Sequence, residues 1–275
     1  MSQFVEVHKR GRVLEIKIDR PPANAINRQV SAQIHQALKT LQESDDLRVG
    51  LLTGSGDKIF CAGWDLKEVA QSPDSQEVSD EAVGGPGGFG GICEYWDLKK
   101  PVIAAVNGHA VGGGLEIAIS CDIILAAEHA DFFLPEMQRG FLPDAGAVQH
   151  LGRLIPVKVA IEMMLTGRRM SAAEAKGWGL VHEVYSPEQL MPAARKMAEE
   201  IAQGAPLTLQ ALKEVLYPML SVSLPEAYEI TRRAVKIKEP GTGPFPVYER
   251  MMASEDFLEG AVAFAEKRSP KFKGK

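Results

Sequence analysis

The stretch Pro101–Asp122, PVIAAVNGHAVGGGLEIAISCD, decides how the rest of the chain is read. Val102 to Val106 is an apolar run of β type that meets a turn at Asn107-Gly108. Gly112, Gly113 and Gly114 then open a second apolar run that carries a single acid, Glu116. Glycine is costly inside a buried element unless the backbone needs close approach or unusual dihedrals. A helix that opens on glycines also presents unpaired N–H groups at its positive end, suited to an anion or a developing oxyanion. A carboxylate just beyond that edge, amid Leu, Ile and Ala, is the most informative oddity of the chain.

Working outward, the composition is that of an ordinary globular protein. The 275 residues are 45% hydrophobic and 24% charged, enough to bury a large core. The net charge of −5 argues against non-specific nucleic-acid binding but leaves room for a polyanion held by local lysines and arginines. Cys61, Cys93 and Cys121 lack metal spacing, which favours a reduced setting over a disulfide scaffold. No 18-residue apolar span occurs, and no cationic start leads into an apolar leader. The expectation is a soluble cytoplasmic protein with no membrane contact.

Before the central stretch, Phe4–Val7 and Val13–Ile18 alternate apolar and polar around Gly11-Arg12, which predicts a hairpin. Val30, Ile34, Ala37, Leu38 and Leu41 recur at helical spacing over 28–43, with Asn27 as N-cap. A strand is expected over 48–53, followed by Phe60-Cys61-Ala62-Gly63-Trp64-Asp65, a loop running into a short helix. Residues 71–91 are polar and then glycine-rich, read either as a mobile surface loop or as a lid or pocket wall. Ile92–Leu98, with Tyr95 and Trp96, reads as a short helix.

After the central stretch, Ile123–Ala126 and Val181–Tyr185 read as strands. Capping boxes are expected at Ser171, Ser186 and Ser223, and helices over 187–203, 206–219, 224–236 and 254–267. Strand and helix thus alternate to about residue 185 and only helices follow, an α/β chain of parallel βα-type units. The division is 1–200 as core and 201–275 as a helical region that caps the core or forms an oligomer interface.

Glu116 and Glu136, each in an apolar context, are the candidate catalytic pair. Two carboxylates in one pocket can divide general acid and general base work, since burial and mutual repulsion push their pKa values apart. The alternative is that each pairs with an arginine or caps backbone elsewhere. Gly113 offers one oxyanion N–H and Gly63-Trp64 another. Nucleophile-elbow, phosphate-loop and zincin motifs are absent, no G-x-G-x-x-G follows a strand, and the six histidines are scattered without ligand spacing. Metal and nicotinamide chemistry are not indicated.

Together, RPPANAIN, GSGDKIFCAGWDLKE, PVIAAVNGHAVGGGLEIAISCDI, DFFLPEMQRGFLPDAG, TGRRMSAAEAKGWGLV and FAEKRSPKFKG resemble the crotonase (enoyl-CoA hydratase/isomerase) superfamily. The resemblance implies a crotonase-like spiral of ββα units with C-terminal helices used for trimerisation, and a homotrimer or homohexamer. It implies an oxyanion hole at the backbone N–H groups of Trp64 and Gly113, with Glu116 and Glu136 as catalytic acids. The glycines would then keep any Cβ off the thioester oxygen. Coenzyme A would enter only as part of the acyl-CoA substrate, with no resident cofactor and no metal. It would lie along Ala23, Ala25, Ala62, Gly63 and Asp65, with Phe264 and Lys267 reaching its nucleotide. The nearest resemblance is to carnitinyl-CoA dehydratases, through GPGGFGG, AGWDLK, TGRRM and Asp144. Leu134, Asp144, Tyr95 and Trp96 are then the expected acyl-pocket residues, with cation–π contacts from Trp64, Tyr95 and Trp96. A general short-chain hydratase, an enoyl- or dienoyl-CoA isomerase, and a non-catalytic CoA-binding protein are the alternatives.

Overall fold

A strand that is apolar at every position belongs inside a sheet with both faces covered, and Val102–Val106 is buried at all five positions. The structure, a computed structural model, describes residues 3–71, 85–234, 236–237 and 239–275. The expected hairpin forms from β1 (Val5–Arg10) and β2 (Val13–Ile18), with Val5 opposite Ile18. Then β3 (Val49–Gly54), β5 (Val102–Val106), β7 (Ile123–Ala127) and β10 (Glu183–Tyr185) add in parallel. The six-stranded order is β1-β2-β3-β5-β7-β10. A second sheet holds β4 (Ile59–Cys61), β6 (His109–Val111), β8 (Asp131–Phe133) and β9 (Met170–Ser171), in that order.

Successive strands therefore split between the sheets. β3, β5 and β7 enter the first, while their followers β4, β6 and β8 enter the second. Helices close each turn. After α1 (Arg28–Glu43), α2 (Leu66–Gln71) follows β4, α3 (Gly113–Ile119) follows β6, and α4 (Ala147–Leu154) comes after β8. This is a spiral of ββα units, as expected.

α1 spans the residues its periodicity indicates, and the Asn27 side chain accepts the Val30 N–H at 3.0 Å. Its buried face joins Ile16, Ile18, Leu52 and Leu115 in the larger core between the sheets. Further on come α5 (Val157–Thr166), α6 (Ala172–Gly177) and α7 (Pro187–Ile201). Leu190, Ala194 and Ala198 of α7 cover the other face of the six-stranded sheet, against Leu51, Ile103 and Leu125. The chain ends in α8 (Pro206–Met219), α9 (Leu224–Ala234), α10 (Pro246–Met252) and α11 (Glu255–Ala265). Buried Arg48 ties this region back, donating to the carbonyls of Ala202, Gly204 and Phe272. The cysteines are free and buried.

Several expectations need correction. Ile92–Leu98 is a set of tight turns rather than a helix: Tyr95 N–H donates to Ile92 O and Leu98 N–H to Tyr95 O, both i→i−3. The preceding Gly90 and Gly91 sit at φ 61° and 67°, so the chain enters this segment outside the helical region. Ser171 caps α6 through the Glu174 N–H, whereas the Ser186 side chain makes no capping bond. α10 carried no sequence signal; it starts where Glu214 accepts the N–H groups of Val247 and Tyr248, each at 2.9 Å. Residues 72–84 of the glycine-rich segment lie outside the described residues. Gly87 to Cys93 are buried, so this part is wall and not surface loop.

Candidate active site

Each glycine of the central triplet meets a different neighbour. A Cβ on Gly112 would lie 2.2 Å from Glu136 Oε1, and Gly112 has φ 54°. On Gly113 it would lie 2.3 Å from the Phe89 ring, and on Gly114 2.1 Å from the Cys61 carbonyl oxygen. The glycines make room for a carboxylate, a ring and a strand, a packing role beside the expected one of keeping a Cβ off a ligand oxygen. Phe89 is thereby a site wall, the part of the GPGGFGG segment that sequence reasoning left undecided.

The two candidate acids converge over Gly112. Glu116 follows it by one helical turn, its N–H donating to the Gly112 carbonyl at 3.1 Å. The Glu136 carboxylate lies over the Gly112 Cα, carried there by the turn after β8. Glu116 is 3% exposed and keeps one firm partner, the Ala147 N–H, 3.0 Å from Oε1. Burial pushes its carboxyl up to about 7, with the charges of Glu136 and Asp144 adding to the rise. Glu136 is also raised, chiefly by burial and further by Asp144, while Arg139 pulls it down. Its Oε2 is buried without a hydrogen-bond partner, an acceptor in the pocket that no protein group occupies.

The expected oxyanion donors, the N–H groups of Trp64 and Gly113, lie on segments held by backbone pairing. Trp64 bridges Ile26 in parallel, with Ile26 N–H on Gly63 O and Asp65 N–H on Ile26 O. In such a bridge the N–H of Trp64 itself points away from Ile26. Gly63, the residue before Trp64, packs against Gly113: a Cβ on Gly63 would sit 2.9 Å from the Gly113 nitrogen. Gly113 is the first residue of α3, so its N–H belongs to the unpaired first turn. The segments expected to carry the two donors are thus in contact, and Gly113 directly follows Gly112, over which Glu136 lies.

The loops expected to carry coenzyme A are also joined. Ala62 N–H donates to Ala23 O at 3.0 Å, and Arg20 links them by bonding Ala25 O and, at 2.6 Å, Asp65. Asp65 thus pins the wall rather than presenting a bare charge. Phe264 is 87% exposed and Lys267 follows it at the end of α11.

The expected acyl-pocket residues divide. Asp144 is beside the acids, close enough to shift both. Leu134 is fully buried in the core. Tyr95 packs tilted against His35 with ring centroids 4.6 Å apart, and the acids acting on its hydroxyl are Asp97 and Glu43. Trp96 is 69% exposed, with its carbonyl taken by Lys99. Neither is drawn to the acids. Phe141, which the sequence reading passed over, sits edge-on to Trp64 at 6.1 Å. A cavity of about 400 Å³ between the β1–β2 hairpin, the 53–57 loop and α7 is lined by none of these residues.

The enoyl-CoA hydratase/isomerase family model matches residues 8–275. The chain belongs to that family. It is 44% identical over 275 residues to the carnitinyl-CoA dehydratase of Proteus mirabilis, covering all of both chains. To that of Salmonella arizonae it is 43% identical over 274 residues, again with both chains covered. Among solved structures it is similar to enoyl-CoA hydratase from Mycobacterium tuberculosis, with a TM-score of 0.86, 34% identity and 99% coverage of each chain. The enoyl-CoA hydratase of Mycobacterium marinum gives 0.86 and 35%, with the same coverage.

Proposed function

We propose that the protein is an acyl-CoA hydratase/dehydratase that adds or removes water across the Cα–Cβ bond of a 2-enoyl-CoA/3-hydroxyacyl-CoA pair. The carnitinyl/crotonobetainyl type is favoured, given the full-length identity to carnitinyl-CoA dehydratases. What supports the chemistry is the convergence of two acids, buried Glu116 and half-buried Glu136, on Gly112, beside the first N–H of α3 at Gly113. In dehydration, Glu136 takes the α-proton as carboxylate. The C–H electron pair moves toward the thioester, whose oxygen is held by the Trp64 and Gly113 N–H groups. As the Cα–Cβ double bond forms, the β C–O bond breaks, and Glu116 protonates the departing hydroxyl to give water. Each backbone donor contributes roughly 10²–10³-fold to such a step.

Hydration runs through the same atoms in reverse, so both directions use the acid pair carrying one proton in total. That proton leaves as pH rises through the Glu116 value, about 7. kcat/KM is therefore expected to fall above pH 7 with unit slope in both directions, and again on the acid side when both acids are protonated. Following enoyl-thioester absorbance with crotonyl-CoA and crotonobetainyl-CoA tests the reading. Loss of absorbance with that alkaline limb supports it, and no loss with either substrate contradicts it.

Exposed Leu212, Leu216, Leu220, Leu224, Leu258 and Phe264 on the C-terminal helices support a homotrimer or a pair of trimers, which light scattering would read directly. Among the described residues no helix is long and apolar enough to cross a membrane. A cytoplasmic site of action goes with this reading.

A further inference from the structure

The 141–147 segment is tethered to both acids. The Phe141 N–H donates to the Glu136 carbonyl at 3.1 Å, and the Ala147 N–H donates to Glu116 Oε1 at 3.0 Å. Asp144 lies between these tethers, on a tight turn closed by its N–H on Leu142 O at 2.9 Å. Its side chain is exposed, and among the described residues it makes no ion pair. Trp64 is 38% exposed and Phe141 39%, large rings left open at the same rim and in edge contact with each other.

Water addition has no use for this third acid. Its charge opposes ionisation of both partners in the reaction, and Arg139 is the cation acting on Glu136 from the protein side. A neutral alkyl chain would lie against an unpaired carboxylate, which is an unfavourable surface for it. A permanent cation would meet a carboxylate and two π-faces, the combination that holds quaternary ammonium groups.

We propose that Asp144, with the rings of Trp64 and Phe141, is the specificity subsite for an acyl group bearing a quaternary ammonium. The proposal rests on the hydratase reading above and adds residues to it. The thioester oxygen is fixed at Trp64 and Gly113, and Cα and Cβ lie between Glu136 and Glu116. The substituent beyond Cβ therefore leaves on the Glu116 side, toward the 141–147 segment.

Charge is separated from shape by a neutral isostere. Crotonobetainyl-CoA, 5,5-dimethylhex-2-enoyl-CoA and crotonyl-CoA are compared as substrates of the wild type, Asp144→Asn and Phe141→Leu. The wild type is expected to favour the cationic substrate over its isostere by at least tenfold in kcat/KM, mainly through KM. Asp144→Asn should shrink that ratio at least tenfold, and Phe141→Leu by a smaller factor. Removing the Asp144 charge also eases ionisation of the two acids, but this acts on all three substrates and cancels in the ratio. A wild-type ratio near one, or a ratio unchanged in Asp144→Asn, overturns the subsite while hydration of crotonyl-CoA leaves the hydratase reading standing. Equal losses with all three substrates also overturn it and assign Asp144 to the shared chemistry. If none of the three is hydrated by the wild type, the hydratase reading itself fails.

Discussion

Replacing Glu116 by Gln is expected to remove most turnover and yet stabilise the fold above neutral pH. The amide keeps the shape and can still accept the Ala147 N–H at Oε1. It cannot transfer a proton, which costs roughly 10²–10⁴-fold where a general acid or base acts. The stability gain comes from the raised carboxyl. Below pH 4.5 Glu116 is protonated in folded and unfolded chains alike. Between 4.5 and about 7 the unfolded chain ionises while the folded one does not, so wild-type stability declines with rising pH. Above 7 the full cost is present, up to about 3 kcal/mol for a shift of this size. Gln carries no such cost at any pH. Melts at pH 8 should place Glu116→Gln several degrees above the wild type, with the advantage shrinking at pH 5. Equal melting at pH 8, or wild-type-like turnover, would count against a catalytic acid held in an unfavourable place.

The second large effect is on folding. Gly114→Ala puts a methyl 2.1 Å from the Cys61 carbonyl oxygen and 2.8 Å from its carbon, both backbone atoms of β4. Backbone cannot rotate aside as a side-chain tip can, so α3 or β4 must shift. The expected loss is about 3 kcal/mol or more, at the upper end for an overpacked core. Gly177→Ala is the matched control. It lies at the end of α6 with no atom within 4 Å of the new Cβ. Alanine there is expected to add about 0.5–1 kcal/mol through helix propensity and a less flexible unfolded chain. Denaturant titrations of both variants would read this. A small loss at Gly114 would mean that the close approach of α3 to β4 is not tightly packed.

What the sequence made legible and what it hid follow from range. α1 declared itself because sixteen residues carry a full helical period, and β5 because five consecutive apolar residues need cover on both faces. The strands β6 and β8 have three residues each, too few to show any period. Without them the second sheet was invisible from residue patterns, and the family resemblance implied only the spiral of ββα units. Glu116 and Glu136 stood out as acids in apolar stretches. Phe89 and Phe141 did not, because a ring in a loop gains meaning only from what it meets: the Gly113 Cα in one case and the Trp64 indole in the other. Tyr95 and Trp96 show the converse. Their composition suited an aromatic pocket, but the turns at 92–98 direct one onto His35 and leave the other in solvent.

The division of labour between the acids is the centre of the account, and exchange of the α-proton isolates it. A saturated acyl-CoA such as butyryl-CoA has an acidic α-position and no β-hydroxyl. It needs the donors at Trp64 and Gly113 and the base Glu136, with no work for Glu116. In D2O, with α-proton loss followed by NMR, the wild type and Glu116→Gln should both exchange, and Glu136→Gln should not. Exchange that survives in Glu136→Gln, or disappears in Glu116→Gln while butyryl-CoA still binds, would contradict the assignment.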